Sequence, residues 1–266
     1  MPPAETSAAR QPPRPSDSYV QSFARGLAVI RSFSADAPQQ TLSEVAARTG
    51  LTRAGARRIL LTLHTLGYVH SDGKLFRLAP RILDLGFAYL SAMPTWNLAE
   101  PVMEALAAEV SESTSSAVLD GTDVVYVLRV STRKIMRIGL GAGSRLPAYC
   151  TSMGRVLLAA QPEPQARTIL HASPLVAHTP RTITDIDVLM AEVAQARTQG
   201  WALVDQELEE GLISMAAPII GRQGQTLAAI NVSGQANRTD ADTMRARILP
   251  ALRRAAQEIS GLLAGR

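Results

Sequence analysis

Residues 41–66, TLSEVAARTGLTRAGARRILLTLHTL, constrain what this chain can fold into more than any other stretch. Thr41 and Glu44 have the S/T-x-x-E spacing of a capping box, in which two side chains satisfy amides left over at a helix start. Leu42, Val45 and Ala46 give that helix an apolar side. Gly50 suits a C-cap, because glycine takes a positive φ without steric cost. Thr52 then caps a second helix. On that helix Ala56, Ile59, Leu63 and Leu66 fall on one side. Ala54, Arg57, Arg58 and Thr65 fall on the other, with Leu61 an apolar intruder that a wing or a neighbouring helix is expected to cover. A short helix, a glycine turn and a second helix with an arginine face predict a helix-turn-helix. Its second helix fits a major groove, where arginine bonds bidentately to guanine. A solvated surface helix would carry the same arginines, so the neighbouring sequence has to decide.

That sequence agrees with the motif. A helix is expected over 22–33, with Phe23, Leu27 and Ile30 at i, i+4, i+7 spacing to pack on the two helices. Arg25 near its start is placed to reach a phosphate. After Gly67 comes YVHSDGKLFRL, in which two alternating runs flank Asp72-Gly73, a hairpin signal. A hairpin directly after a recognition helix is a wing, and Lys74 and Arg77 would line it for backbone or minor-groove contact. The whole reads as a winged helix-turn-helix. Charge follows the same division: residues 1–93 hold 11 Lys+Arg against 6 Asp+Glu (+5), and residues 94–266 hold 16 against 17 (−1). The basic excess coincides with the motif, as DNA binding requires.

At 266 residues, with 46% hydrophobic and 19% charged residues, the chain suits two packed domains. Residues 1–18, rich in Pro, Ser and Ala, read as a disordered tail. Residues 19–79 form the DNA-binding domain. Residues 80–95 form a linker helix opened by Pro80 and stopped by Pro94. Ile82, Leu83, Leu85, Gly86, Phe87, Tyr89, Leu90 and Met93 make it apolar nearly all round, so it should be buried on several sides and serve a dimer contact. Residues 96–266 form a second domain. Its expected elements are a helix over 96–111, strands over 115–120, 123–130 and 135–140, and a glycine-rich turn in GLGAGSRLP. Helices follow over 152–160, 163–170 and 186–199, then strands over 201–205, 213–220 and 227–233, and a last helix over 240–263. Antiparallel strands interrupted by helices imply an α+β domain. No apolar run approaches the about 20 residues that span a bilayer, and no signal core opens the chain. A cytoplasmic protein without membrane contact is the expectation. The single cysteine, Cys150, excludes an internal disulfide.

Cys150-Thr151-Ser152-Met153-Gly154-Arg155 stands where a loop becomes a helix. The first amides of a helix lack partners and carry the positive end of its dipole, so they bind carboxylates or phosphates. Thr151 and Ser152 can equally be an ordinary cap. Asp205 ends a strand before an acidic loop and Gly211, and Ser214 opens the next strand. Asn231 and Ser233 share one face of an otherwise apolar strand. Together with the helix start these residues could form a pocket with an anion end and a polar end; outer-face exposure is the alternative. A hydrolase using Cys150 with His171 or His178 as base is a rival reading, but no nucleophile–base–orienter set accompanies it. The reading assigns no catalytic residue, metal or cofactor. A third reading is a DNA-binding protein that needs no effector.

The stretches RGLAVIRSF, TLSEVAARTGLTRAGARRILLTL, LPAYCTSMGRVLLA, LVDQELEEGLISMAAPI and AAINVS resemble the IclR family of bacterial transcription regulators, from about residue 19 to the end. RLPAYCTSMGRVLLA and WALVDQELEEG look most like its branch of protocatechuate, 4-hydroxybenzoate and β-ketoadipate pathway regulators. The resemblance implies an N-terminal winged helix-turn-helix, a C-terminal GAF-like effector domain, and homodimers that often pair into tetramers on DNA. It also implies a small carboxylate effector, in this branch mostly an aromatic acid. On that basis Arg53, Arg57 and Arg58 with Ala54 would face DNA, with Thr52 on a phosphate. The effector would meet Thr151, Ser152, Met153, Gly154, Asp205, Ser214, Asn231 and Ser233, with Asp205 accepting from a ring hydroxyl. The partners implied are a palindromic operator, the effector, a second copy of the chain and, further, RNA polymerase.

Overall fold

The computed structural model describes residues 19–91, 95–131 and 140–264. The tail at 1–18, Met93, Pro94 and most of the strand expected at 135–140 lie outside these residues. The chain divides into two compact units, Met1–Ala92 and Met93–Arg266.

In the first unit α1 (Gln21–Arg31), α2 (Leu42–Thr49) and α3 (Arg53–Thr65) enclose a core that includes Val29, Val45, Ala56, Leu60, Leu63 and Phe76. The capping box forms: Thr41 N–H donates to Glu44 Oε2 at 2.7 Å, and Glu44 N–H donates to Thr41 Oγ1 at 3.4 Å. Gly50 ends α2 with φ 65°, in the left-handed region that glycine tolerates. Thr52 caps α3 by accepting Gly55 N–H at 3.1 Å. The wing is β2 (Val69–Ser71) and β3 (Leu75–Leu78), joined through Asp72-Gly73. A short β1 (Gln39–Thr41) pairs with the other edge of β3; three residues are too few for a periodic signal, and the sequence reading missed it.

Three expectations need correction here. On α1 the buried residue is Val29, with Ile30 half-buried, whereas Phe23 and Leu27 are exposed. The helix has apolar residues on two faces, and spacing alone does not say which one meets the core. On α3 Leu60 is fully buried in the role given to Leu66; Leu66 is the C-cap, has left the helix and is exposed. Leu61 also stays exposed rather than covered. After Pro80 a 3₁₀ turn (Pro80–Ile82) leads into α4 (Leu83–Ser91), whose Leu83, Leu85, Phe87 and Tyr89 are exposed in the single chain.

The second unit is an antiparallel sheet with helices. Its strands are β4 (Ser113–Asp120), β5 (Asp123–Val130), β6 (Arg145–Pro147), β7 (Ala202–Asp205), β8 (Leu212–Ile220) and β9 (Thr226–Gln235), in the order β6-β5-β4-β9-β8-β7. β6 falls where a glycine-rich turn was expected. α5 (Thr95–Val110) opens the unit and touches one face: Thr114, on β4, donates its hydroxyl to the Met103 carbonyl at 3.2 Å. α6 (Ser152–Ala159) packs on the sheet and on α8 (Ile186–Gln199), with α7 (Glu163–Ala172) beside them. The last helix is not continuous. It runs as α9 (Ala241–Thr243), a π-helical turn (Met244–Ile248) and α10 (Leu249–Ala264). Pro250 has no N–H for the Ala246 carbonyl and its ring crowds that group, so the helix widens just ahead of it.

Candidate functional site

The first unit turns its candidate DNA-contact cations to solvent. Arg53, Arg57 and Arg58 are exposed on α3, Arg25 on α1, and Lys74 and Arg77 on the wing, with Ala54 exposed beside the α3 arginines. Among the described residues none of these six cations has a carboxylate within ion-pair distance, so their charge is directed at solvent. Thr52 uses its oxygen as a cap acceptor, which leaves the O–H proton to donate to a phosphate. The wing is held by Asp72, whose Oδ1 accepts Lys74 N–H at 2.9 Å and Leu75 N–H at 2.8 Å. Those amides hold its carboxyl below the usual value. At its base Arg81 Nη1 donates to the Leu66 carbonyl at 3.0 Å and its guanidinium lies 5.7 Å from the centre of the Tyr68 ring.

The second unit holds a cavity between one face of the sheet and the start of α6. Its polar lining is Arg129, Thr151, Ser152, Ser214, Asn231 and Ser233, and its apolar walls include Leu140, Leu146, Met153, Val204, Leu208 and Leu212, with Tyr126 and Cys150. Sheet register explains the set. Cross-strand partners share a face, and the pairs Ser115↔Arg129, Ser115↔Asn231, Ser214↔Ser233 and Val204↔Ser214 carry one face from β5 to β7. Asn231 Nδ2 donates to Ser233 Oγ at 3.0 Å, and Arg129 Nη1 donates to Ser115 Oγ at 3.2 Å.

At the helix start Thr151 is the cap: its Oγ1 accepts Gly154 N–H at 3.2 Å and donates to the Pro147 carbonyl at 2.9 Å. Ser152 is buried and its Oγ has no hydrogen-bond partner; the same holds for Asn231 Oδ1. Buried polar atoms are ordinarily paired, and here both unpaired atoms belong to residues that line one cavity. Behind the helix start lies an ion pair. Arg155, on α6, reaches Glu207 at 2.7 Å and Glu192 at 3.3 Å, and Ile183 N–H donates to the Glu207 carboxylate at 3.2 Å. Burial pushes the Glu207 carboxyl up, against the pull of Arg155.

Two of the eight residues assigned to the effector are elsewhere. Asp205 pairs with Ile213 in register, on the face opposite Val204, and its carboxylate binds Arg181 at 2.5 Å. It is not part of the cavity, because neighbours on a strand point to opposite sides. Gly154 does not line the cavity either; a Cβ there would sit 2.0 Å from the Ala148 carbonyl oxygen, so the glycine lets the helix start press onto residue 148. Thr151, Ser152, Met153, Ser214, Asn231 and Ser233 are brought together as expected. Tyr126, Arg129, Leu146, Val204, Leu208 and Leu212 were missed. Cys150 is fully buried and burial pushes its thiol up to about 12, so it is a protonated thiol at neutral pH, unsuited to nucleophilic attack. His178 stacks on Tyr149 with ring centres 6.3 Å apart. Among the described residues no His, Cys, Asp or Glu cluster could hold a metal, and no helix is long and apolar enough to cross a membrane.

A winged helix-turn-helix with an unpaired cationic face, followed by an α+β unit with a partly polar cavity at a helix start, defines a DNA-binding protein with a separate effector-type domain. The IclR helix-turn-helix domain profile matches residues 22–73, and that of the bacterial transcriptional regulator IclR C-terminal domain matches residues 87–261. The chain belongs to the IclR family of transcriptional regulators, which are DNA-binding regulators and not enzymes. It is 42% identical over 248 residues to the Pca regulon regulatory protein of Pseudomonas putida, covering 93% of this chain and 85% of that one. A crystal structure of a regulator from Rhodococcus sp. RHA1 is 48% identical, with a TM-score of 0.84 over 93% of this chain and 99% of that chain. An IclR homologue from Microbacterium hydrocarbonoxydans, solved in complex with 4-hydroxybenzoate, is 27% identical with a TM-score of 0.81 over 92% of this chain and all of that one (100%).

Proposed function

We propose that this regulator controls an operon for the breakdown of aromatic compounds and that it responds to a small aromatic carboxylate held in the cavity at the start of α6. The observation that carries this reading is the pair of unpartnered buried atoms, Ser152 Oγ and Asn231 Oδ1, on residues that line one cavity. The effector's carboxylate meets the free amides of the helix start and Ser152 Oγ, where the helix dipole favours an anion. Its ring lies among the leucines, Met153 and Val204, and a polar substituent reaches Asn231 and Ser233. The names of the Pseudomonas putida relative and the 4-hydroxybenzoate complex support the same class of effector.

The exposed arginines of α3 enter the major groove, with Arg25, Thr52, Lys74 and Arg77 on the backbone. The exposed apolar side chains of α4 are covered by a second copy of the chain, so residues 80–95 act as a linker and dimerisation helix. A twofold dimer then reads a palindromic operator with half-sites about one helical turn, or a multiple of it, apart; a dimer of dimers, and contact with RNA polymerase, extend the same arrangement. The protein works in the cytoplasm. An effector changes regulation because it binds one arrangement of the dimer better than another. The test is calorimetric titration of the full-length protein with benzoates and aliphatic acids. Binding of an aromatic acid that Ser152→Ala weakens supports the reading. Failure of every acid to bind, with operator binding intact, favours a regulator without an effector.

A further inference from the structure

Among the described residues Arg129 is the one full cation in the cavity lining, and no Asp or Glu lines the cavity with it. Among the described residues it has no carboxylate partner. Its hydrogen bonds are to neutral hydroxyls: Nη1 to Ser115 Oγ at 3.2 Å and Nε to Ser131 Oγ at 3.2 Å. Two bonds from different edges of a planar guanidinium fix its orientation and leave further N–H donors unassigned. The sheet sets its position. Arg129, Ser115 and Asn231 are successive cross-strand partners on β5, β4 and β9, so the three side chains form one row across the cavity floor. At the β9 end of that row stands the unpartnered Asn231 Oδ1.

The helix start of α6 already supplies a place for one carboxylate. A guanidinium that the protein orients but does not neutralise, in the same cavity, calls for a second electron-rich oxygen on the ligand. We propose that Arg129 is a specificity-determining residue for the effector: it binds an oxygen substituent carried by the effector in addition to the carboxylate at the helix start, and so selects acids that bear a second carboxylate or a hydroxyl over plain monoacids. Ser115 and Ser131 are positioning residues for it. The inference rests on the effector reading above, since it places a second group of the same ligand in the same cavity.

The experiment is calorimetry of the full-length protein with benzoate, 4-hydroxybenzoate and terephthalate, repeated with Arg129→Gln and Arg129→Lys. In the native protein at least one of the two substituted acids binds about tenfold or more tighter than benzoate, as a charge-assisted hydrogen bond provides. Arg129→Gln removes that advantage while leaving benzoate affinity within about threefold, and Arg129→Lys keeps part of it, as a charge without the fork. Which acid gains tells a second anion from a neutral hydroxyl. Equal affinity for all three acids in the native protein overturns the proposal, as does an advantage that survives Arg129→Gln or a loss equal for benzoate and the substituted acids. Circular dichroism melting of each variant separates these results from misfolding. If none of the three acids binds the native protein at all, the effector reading itself fails, a different outcome from any of these.

Discussion

Arg155 and Glu207, brought within 2.7 Å of each other behind the start of α6, are both almost wholly removed from solvent. They join the helix whose first turn faces the cavity to the segment that supplies Leu208 to its wall. Removing Glu207 leaves the buried Arg155 with only the partly exposed Glu192, 3.3 Å away, for compensation; breaking a buried pair typically costs about 3–5 kcal/mol. We expect Glu207→Ala to lower stability by that order. Glu207→Gln should cost less, because it still accepts from Ile183 N–H and Arg155. Urea denaturation of the two variants side by side measures the difference, and equal losses would mean that the charge itself contributes little.

Gly154 is placed where no side chain fits. Gly154→Ala drives a Cβ to within 2.0 Å of the Ala148 carbonyl oxygen, so the helix start has to move. Overpacking of this kind costs about 1–3 kcal/mol. The displaced amides should also lose the effector. Calorimetry of the variant, taken with its melting curve, checks both effects.

For DNA, Arg57→Ala should weaken operator binding by about 1–3 kcal/mol if the residue reads a base, and Lys74→Ala should mainly reduce the salt dependence, by about one unit of slope. Gel-shift titrations across a salt series distinguish the two. An unchanged affinity for Arg57→Ala would remove that residue from the interface.

Asp205 faces away from the cavity and pairs with a half-exposed Arg181. Surface pairs contribute about 0–1 kcal/mol. Asp205→Ala is therefore expected to leave effector affinity unchanged and stability nearly so. A large loss of effector response would return the residue to the site.

The wing has a pH dependence. The backbone amides of Leu75 and Lys74 hold the Asp72 carboxyl below its ordinary value of 3.8. A depressed folded-state value means that the contribution is present above about pH 4 and is lost as pH falls below it. The protection of the Lys74 and Leu75 amides, referred to the intrinsic exchange rate at each pH, should fall on acidification through that range. In Asp72→Asn the same step should disappear.

Much of this could be read from the chain alone, because local rules governed it. The Thr41–Glu44 box, the Gly50 cap, the Asp72-Gly73 turn and the strand at Asp123–Val130 depend on neighbours in sequence and form where expected. What depended on long-range pairing was hidden. Tyr126 and Arg129 line one cavity although three residues apart, an odd spacing that alternation forbids. The pairing steps from Ser116↔Leu128 to Ala117↔Tyr126, leaving Val127 as an extra residue that flips the parity. No pattern in DVVYVLRV announces that bulge. Asp205 failed for the opposite reason: it obeys alternation, and nothing in the sequence says which parity the cavity takes.

The oily collar of α4, with Leu83, Leu85, Phe87 and Tyr89 turned to water, has a further consequence on the proposed pairing. Its shelter is supplied by a twin, so the competent form accumulates with the square of protein level. The copy number a cell maintains then sets the threshold at which the switch engages, alongside the metabolite it senses.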